Sequence, residues 1–402
     1  MSALRVILRQ LLQRPQAQLS DAATSAPPPE PLRVARADTR RRDTRSDGPV
    51  PVRDVTRDER DAARLHAQGL FLARQDRWEE LDALVRETDA ARVATPGGVP
   101  VAELLARGAG ADAIEPGPDG TRAPGLPWLH DLLADLPDRP GVALTVALAE
   151  IATAEAARRD AAPCALGVAD RMDYFAHLAQ AAQVLDAFDP IELDSPALAA
   201  ARCALAPVWQ ADAVHIRDLY EDLIDLDPAN PRHMRALGRA LRPKGLGAFA
   251  EIDSAARDTA ERTQDIWGSG GYAWCWHDVL LADARGFARL DTDRFLQAIE
   301  DILLRHEDQH LMNQLAACCT LAAGADSRAG APLSSAIEKR RKAVRAAGQR
   351  ILRDRLGEIH PCVWAETAGH VGGRPAAIEA GIGLATAALA EAHEARPLPC
   401  TG

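Results

Sequence analysis

Lysine is almost missing from this chain. Lys244, Lys339 and Lys342 are the whole complement, so nearly all of the positive charge is arginine. Aromatic residues are scarce as well: six Phe, three Tyr and seven Trp make up 4% of 402 positions. β-Branched and aromatic residues are the strand formers, and their scarcity argues against an all-β fold or a large parallel sheet. The seven cysteines are odd in number and unevenly spaced along a long chain, which is not a disulfide framework. No stretch approaches the roughly 20 apolar residues of a membrane span. Val6-Ile7-Leu8 is cut by Arg9, too early for a secretory apolar region of normal length. The expected setting is a reducing cytoplasm. Acidic side chains outnumber basic ones 58 to 47, for a net charge of −11, which argues against general nucleic-acid affinity.

What is present favours helix. Alanine supplies roughly a fifth of the chain, far above ordinary usage. With Leu, Arg, Asp and Glu it makes a helix-prone composition. Charge is unevenly distributed. Residues 1–57 hold eleven Arg against six acids, a net of +5, which leaves −16 for residues 58–402. In the first fourteen residues Leu4, Ile7, Leu8, Leu11 and Leu12 share one helical face, and Pro15 stops the pattern. From Pro15 to Arg57 the chain carries Pro27-Pro28-Pro29, Arg40-Arg41-Arg42 and little apolar content. A segment that buries so little cannot offset its conformational entropy. The expectation is a basic N-terminal arm, mostly disordered after a short amphipathic helix that could dock on a partner or a membrane surface.

The clearest organisation lies between residues 170 and 325. Ile216, Leu219, Tyr220, Leu223 and Ile224 follow the i, i+3, i+4, i+7, i+8 spacing of one helical face. Asp227-Pro228 ends that helix. Asn230 caps the next with Pro231 at its first position, and Met234, Leu237 and Leu241 continue it. Similar punctuation falls at Asp189-Pro190, near Trp267 to Gly271, and at His306 to Gln309, with a spacing near 39 residues. Such a period is the mark of stacked helical hairpins. Leu65–Arg74 and a helix opening at Trp78, with Trp78, Leu81 and Val85 buried, form an earlier hairpin. Residues 94–127 are rich in Gly and Pro and read as a loop insertion, with one short helix at Val101–Arg107. Pro140 opens a strong helix through Val142, Val146 and Ile151, and two longer helices are expected near 333–356 and 375–394.

Tyr220 through Asn230, followed by Leu237-Gly238, resembles the junction of tetratricopeptide repeats, and Arg77-Trp78-Glu79-Glu80-Leu81 resembles the start of a second repeat helix. The order of pieces over residues 60–320 resembles an uncharacterised bacterial helical-repeat family, a domain of unknown function. The resemblance implies a tetratricopeptide-like (TPR-like) α-solenoid with a protein-binding groove, and it carries no catalytic residues. The period of about 39 exceeds the standard 34. The expected organisation is a basic arm at 1–57, a TPR-like repeat domain at 58–325, and C-terminal helices at 326–402 packing on it.

Several motifs invite chemistry. His306-Glu307-Asp308-Gln309-His310 matches H-E-x-x-H, in which two histidines one helical turn apart bind zinc and the glutamate is general base. Asp308-Gln309 is more polar than such a helix wants, and the repeat register puts the segment at a turn. Cys275, His277, Cys318 and Cys319 lack paired metal-ligand spacing and are expected in the core. Gly268, Gly270 and Gly271 read as a helix-breaking turn, since no Lys-Ser/Thr follows. The run Lys339-Arg340-Arg341-Lys342, with Arg345, Arg350, Arg353 and Arg355, is expected on a solvated face opposite Ile337, Val344 and Ile351; the alternative is an acidic docking partner.

The leading expectation is an all-α, non-enzymatic scaffold that binds a protein or peptide, with no cofactor and no specific nucleic acid. Its expected surface is formed by Tyr220, Arg235, Arg239, Tyr272, Trp274 and His277. The alternative is a zinc-dependent hydrolase centred on His306, Glu307 and His310.

Overall fold

Side-chain caps write the helix starts. Thr56 and Glu59 form a reciprocal capping box at the head of α1 (Arg57–Arg74). The chain continues through α2 (Trp78–Ala90), α3 (Val101–Ile114), α4 (Leu126–Asp135), α5 (Pro140–Asp160), α6 (Val168–Leu185) and α7 (Pro196–Cys203). Then come α8 (Ala213–Leu226), α9 (Pro231–Ala240), α10 (Phe249–Arg262), the single turn α11 (Gln264–Trp267) and α12 (Gly270–Ala282). A 3-10 turn (Ala284–Ala288) leads to α13 (Thr292–Arg305), α14 (Gln309–Gly324), α15 (Ser335–Asp354), α16 (Pro361–Thr367) and α17 (Arg374–Glu394). This is a computed structural model that describes residues 50–117, 123–160, 168–206, 212–242, 249–324 and 334–394. Among them the protein is all-α, with two isolated β-bridges and no strand. The described residues belong to the compact unit that begins at Val50.

The punctuation read from the sequence is where the helices turn. Asp227 ends α8, and Asn230 caps α9 by accepting from the Arg232 amide at 3.2 Å, with Pro231 in the first turn. Trp78, Leu81 and Val85 are buried as their spacing predicts. In the stretch 94–127 the short helix expected at Val101–Arg107 is present and runs on to Ile114, beyond the loop expected there. α3 spans fourteen residues, and Val101, Ala102, Leu105 and Ala106 are fully buried. Its Gly108, together with Gly69 of α1, allows close approach. A Cβ at Gly69 would lie 2.0 Å from the Leu105 carbonyl oxygen, and one at Gly108 would lie 2.0 Å from that of His66.

Two hydrophobic clusters form. The first runs from Leu65 to Leu205 and centres on α5, which packs against α2, α3, α4 and α6. α5 is long and apolar enough to cross a membrane, but 78% of that apolar window is buried inside the protein. The second runs from Ala199 to Ala392, with α12 between α9, α10, α13 and α14. α7 serves both: Ala197, Leu198 and Ala201 face the first, and Ala199 and Cys203 the second. Val344, Ile351, Trp364 and Ala385 share a cluster with Trp276, so the apolar core does not divide at residue 325.

Capping extends across elements. Asp82 of α2 accepts the Gly141 amide of α5 at 2.8 Å, and Asp89 accepts the Ser195 hydroxyl and, at 3.1 Å, the Ala197 amide at the head of α7. The basic run of α15 works in the same way at helix ends. Arg340 donates to the Phe287 and Ala288 carbonyls at 2.7 and 2.6 Å, and Arg353 to the Ala392 carbonyl at 2.9 Å. Val344 and Ile351 are buried behind them, as expected, but Arg341, expected on the solvated face, is buried too.

Expectations for residues 1–49, the amphipathic helix among them, lie outside the described residues. Residues 50–57, expected to be disordered, are held in place. Val52 bridges Ile359, with Arg53 N to Ile359 O at 2.9 Å and Ile359 N to Pro51 O at 2.8 Å. Arg53 pairs with Glu358 at 2.7 Å. Hydrogen bonds to a distant segment do for these residues what their own apolar content cannot.

Candidate partner-binding groove

Most of the surface expected from the sequence is interior. Tyr272 and Trp274 are 0% exposed, His277 1% and Tyr220 9%. The reason is the position of α12: neighbours cover it on every side, so side chains two apart on that helix are both buried, Trp274 and Trp276 alike. Trp276 stacks on Phe249 and Trp274 meets Trp267 edge-on at 5.8 Å. Arg235 and Arg239 converge on Asp278, which also takes His277 Nδ1 at 2.6 Å. Burial alone would raise the Asp278 carboxyl, but His277 and Arg235 override it and hold it well below the usual carboxylate range. Burial, with Arg235 beside it, pushes the His277 imidazole down. These residues fasten α9 to α12, and of the six only Arg239 keeps a substantially exposed side chain, at 51%.

The H-E-x-x-H segment does not lie on one helix. His306 is the C-terminal cap of α13, with extended backbone at φ −131° and ψ 122°, and His310 is in the first turn of α14. The His306 ring packs on Trp267 with centroids 4.1 Å apart, whereas His310 lies 6.0 Å from the His360 ring. The one-turn spacing that a zinc-binding pair requires is therefore lost to the helix break. Among the described residues no three His, Cys, Asp or Glu side chains come together in a metal-binding arrangement. Cys275, Cys318 and Cys319 are buried, and burial pushes the Cys275 and Cys319 thiols up to about 12, which keeps them protonated.

An open polar groove of about 620 Å³ lies between α10–α11 and α13. Ala260, Glu261, Gln264 and Ser269 line one side, and Arg294, Gln297, Asp301 and Arg305 the other. The second set has the i, i+3, i+7, i+11 spacing of one helical face, opposite the buried Phe295, Ile299 and Ile302. Asp301 accepts the Ser269 amide at 2.7 Å and its hydroxyl at 2.6 Å, which shapes the groove floor. Burial works to raise the Asp301 carboxyl, but the two Ser269 bonds outweigh it and hold it low. Gly268 adopts φ +61° there, and a Cβ on it would meet Asp301 and Arg305.

A neighbouring groove of about 510 Å³ between α8 and α10 includes Arg217, Asp218, Glu221 and Ser254. Arg217 pairs with Glu221 and Asp258, and Arg262 with Glu221 and Asp225, so ion pairs lace the two helices together. Neither groove is visible in the residue spacing alone. The polar stripe on α13 is the one signal in the sequence, but which of its charges find partners depends on neighbours 30 to 40 residues away. No family model, curated protein or solved structure matches the chain.

Proposed function

We propose that this chain is a non-enzymatic, TPR-like scaffold that binds a protein or peptide partner in the groove between α10 and α13. One observation carries the reading: tertiary bonds recur at a sequence separation close to the expected period. Trp267 Nε1 reaches the Pro228 carbonyl at 2.9 Å across 39 residues. Arg239 meets Asp278 across 39, Arg262 meets Glu221 across 41, and Cys318 Sγ meets the His277 carbonyl across 41. Arg353 reaches Ala392 across 39. Units that each bond to the next one are what a stacked array requires, and such arrays leave elongated surfaces along equivalent helices. α8, α10 and α13 would be those helices, and the two grooves lie between them.

Gln297 is exposed and its side chain faces the groove, so Gln297→Trp fills the groove without touching the core. Affinity capture with the full chain is expected to retain partners that Gln297→Trp loses, while Arg64→Trp on exposed α1 surface retains them. Partners captured equally by all three proteins would rule the groove out as the binding surface.

A further inference from the structure

The groove holds two opposite charges, Arg294 and Glu261, whose side chains form no hydrogen bond or ion pair among the described residues. Among the described residues, the Arg294 side chain makes no hydrogen bond and no ion pair; its guanidinium lies over the Tyr272 ring, 5.8 Å from the centroid, and its charge helps hold the Asp291 carboxyl low without pairing with it. That ring is fixed. The Tyr272 hydroxyl donates to Asp253 at 2.5 Å and accepts the Asp291 amide at 3.1 Å. Arg257, over the same ring at 5.7 Å, is tied to Asp253 and Asp291 at 2.9 and 3.0 Å. Asp301, the acid on Arg294's own wall, is occupied by Ser269 and faces Arg305 at 3.6 Å. On the opposite wall Glu261 is exposed and likewise has no hydrogen bond or ion pair among the described residues. Its chain neighbour Arg262 is committed to Glu221 and Asp225.

On helices where almost every arginine is ion-paired with a carboxylate, a guanidinium and a carboxylate that make no ion pair line one groove and do not pair with each other. We propose that the groove accepts a peptide segment carrying both signs, an acidic side chain for Arg294 and a basic one for Glu261. The inference rests on the scaffold reading above and names the chemistry of its partner. Gln264 and Gln297 line the same groove without hydrogen-bond partners among the described residues. A primary amide both donates and accepts, which suits the C=O and N–H groups of an extended backbone. A nucleic acid fits less well, because Glu261 would repel its phosphates and find no cation in return. The volume is within the ~300–1,000 Å³ of ordinary ligand clefts, room for a short segment rather than a folded domain.

The test is selection of a random twelve-residue peptide library on the full chain. Anisotropy of the selected peptides would then be measured with the parent, Arg294→Glu, Glu261→Lys and Gln297→Trp. The expected peptides carry an acid and a base at fixed spacing. Arg294→Glu is expected to weaken them at least tenfold, and changing the peptide's acid to Arg is expected to restore binding to that variant. Matched thermal melts establish that the variants fold. Peptides blocked by Gln297→Trp but indifferent to both charge reversals would overturn this inference and leave the groove reading standing. Peptides indifferent to all three variants, or no selected peptide at all, would overturn the groove reading itself.

Discussion

Glu150 carries one imidazole on each carboxylate oxygen. His130 Nε2 from α4 lies 2.6 Å from Oε1, and His177 Nδ1 from α6 lies 2.6 Å from Oε2, so one buried side chain of α5 ties three helices together. Burial tends to raise its carboxyl, and the two histidine hydrogen bonds overcome that and lower it. A folded value below the unfolded one means a contribution present in full above the unfolded value of about 4.3. It is lost as pH falls from there through the folded value. Glu150→Ala is expected to cost about 1–3 kcal/mol near neutral pH, the range for leaving buried polar groups unpaired. Denaturant melts at several pH values check both points: the gap between parent and variant should narrow below about pH 4. A gap that holds constant into acid would show that the charge of Glu150 is irrelevant. Nothing in the sequence announced this cluster. Its members are 20 and 27 residues apart, and it exists only because α4 and α6 both pack on α5.

At the scale of elements, legibility followed amphipathicity. α8, α9 and α13 have one apolar face and strong caps, and each is where its spacing put it. The Gly- and Pro-rich composition of 94–127 predicts helix only over Val101–Arg107, but α3 runs on through Gly108 and Gly110 to Ile114, and Gly108 is the point at which α1 comes close. α12 failed in the opposite sense. Its residues are apolar almost all round, so periodicity could not say that both Trp274 and Trp276 are interior. Gly238 of α9 shows how tightly that helix is held. A Cβ there would stand 1.9 Å from the Cys275 carbonyl oxygen, a backbone atom of α12 that cannot rotate away. Gly238→Ala must push the two helices apart despite alanine's better helix propensity. The expected cost is about 1–3 kcal/mol, the range for overpacking, read as a lower denaturant midpoint. A neutral or stabilised variant would mean that α9 and α12 can separate freely.

Across the whole unit, the two hydrophobic clusters are joined by a few polar contacts far apart in sequence, none of them a motif. Arg92, just beyond α2, donates to the Leu226 carbonyl at the end of α8 and the Asp89 carbonyl, each at 2.9 Å, and pairs with Asp194. Asn230 Nδ2 donates to the Gly98 carbonyl at 3.0 Å, so the cap of α9 also holds the turn before α3. Arg92 does this with φ at +52°, a left-handed conformation that costs a non-glycine residue roughly 1–2 kcal/mol. Residues stay in such conformations only where their surroundings fix them, and here the guanidinium's contacts do so. Two substitutions separate the backbone from the side chain. Arg92→Ala keeps the backbone cost and loses the contacts; Arg92→Gly loses the same contacts and relieves the backbone. Both are expected to be less stable than the parent, with glycine about 1 kcal/mol better than alanine. If Arg92 couples the clusters, hydrogen exchange should also change unevenly. Amides of α1 and α3 should open at a lower free energy than those of α12 and α14 in both variants, and together with them in the parent. Alanine equal to glycine, with exchange unchanged in both, would mean that α7 and the 50–56 segment hold the two clusters together without Arg92.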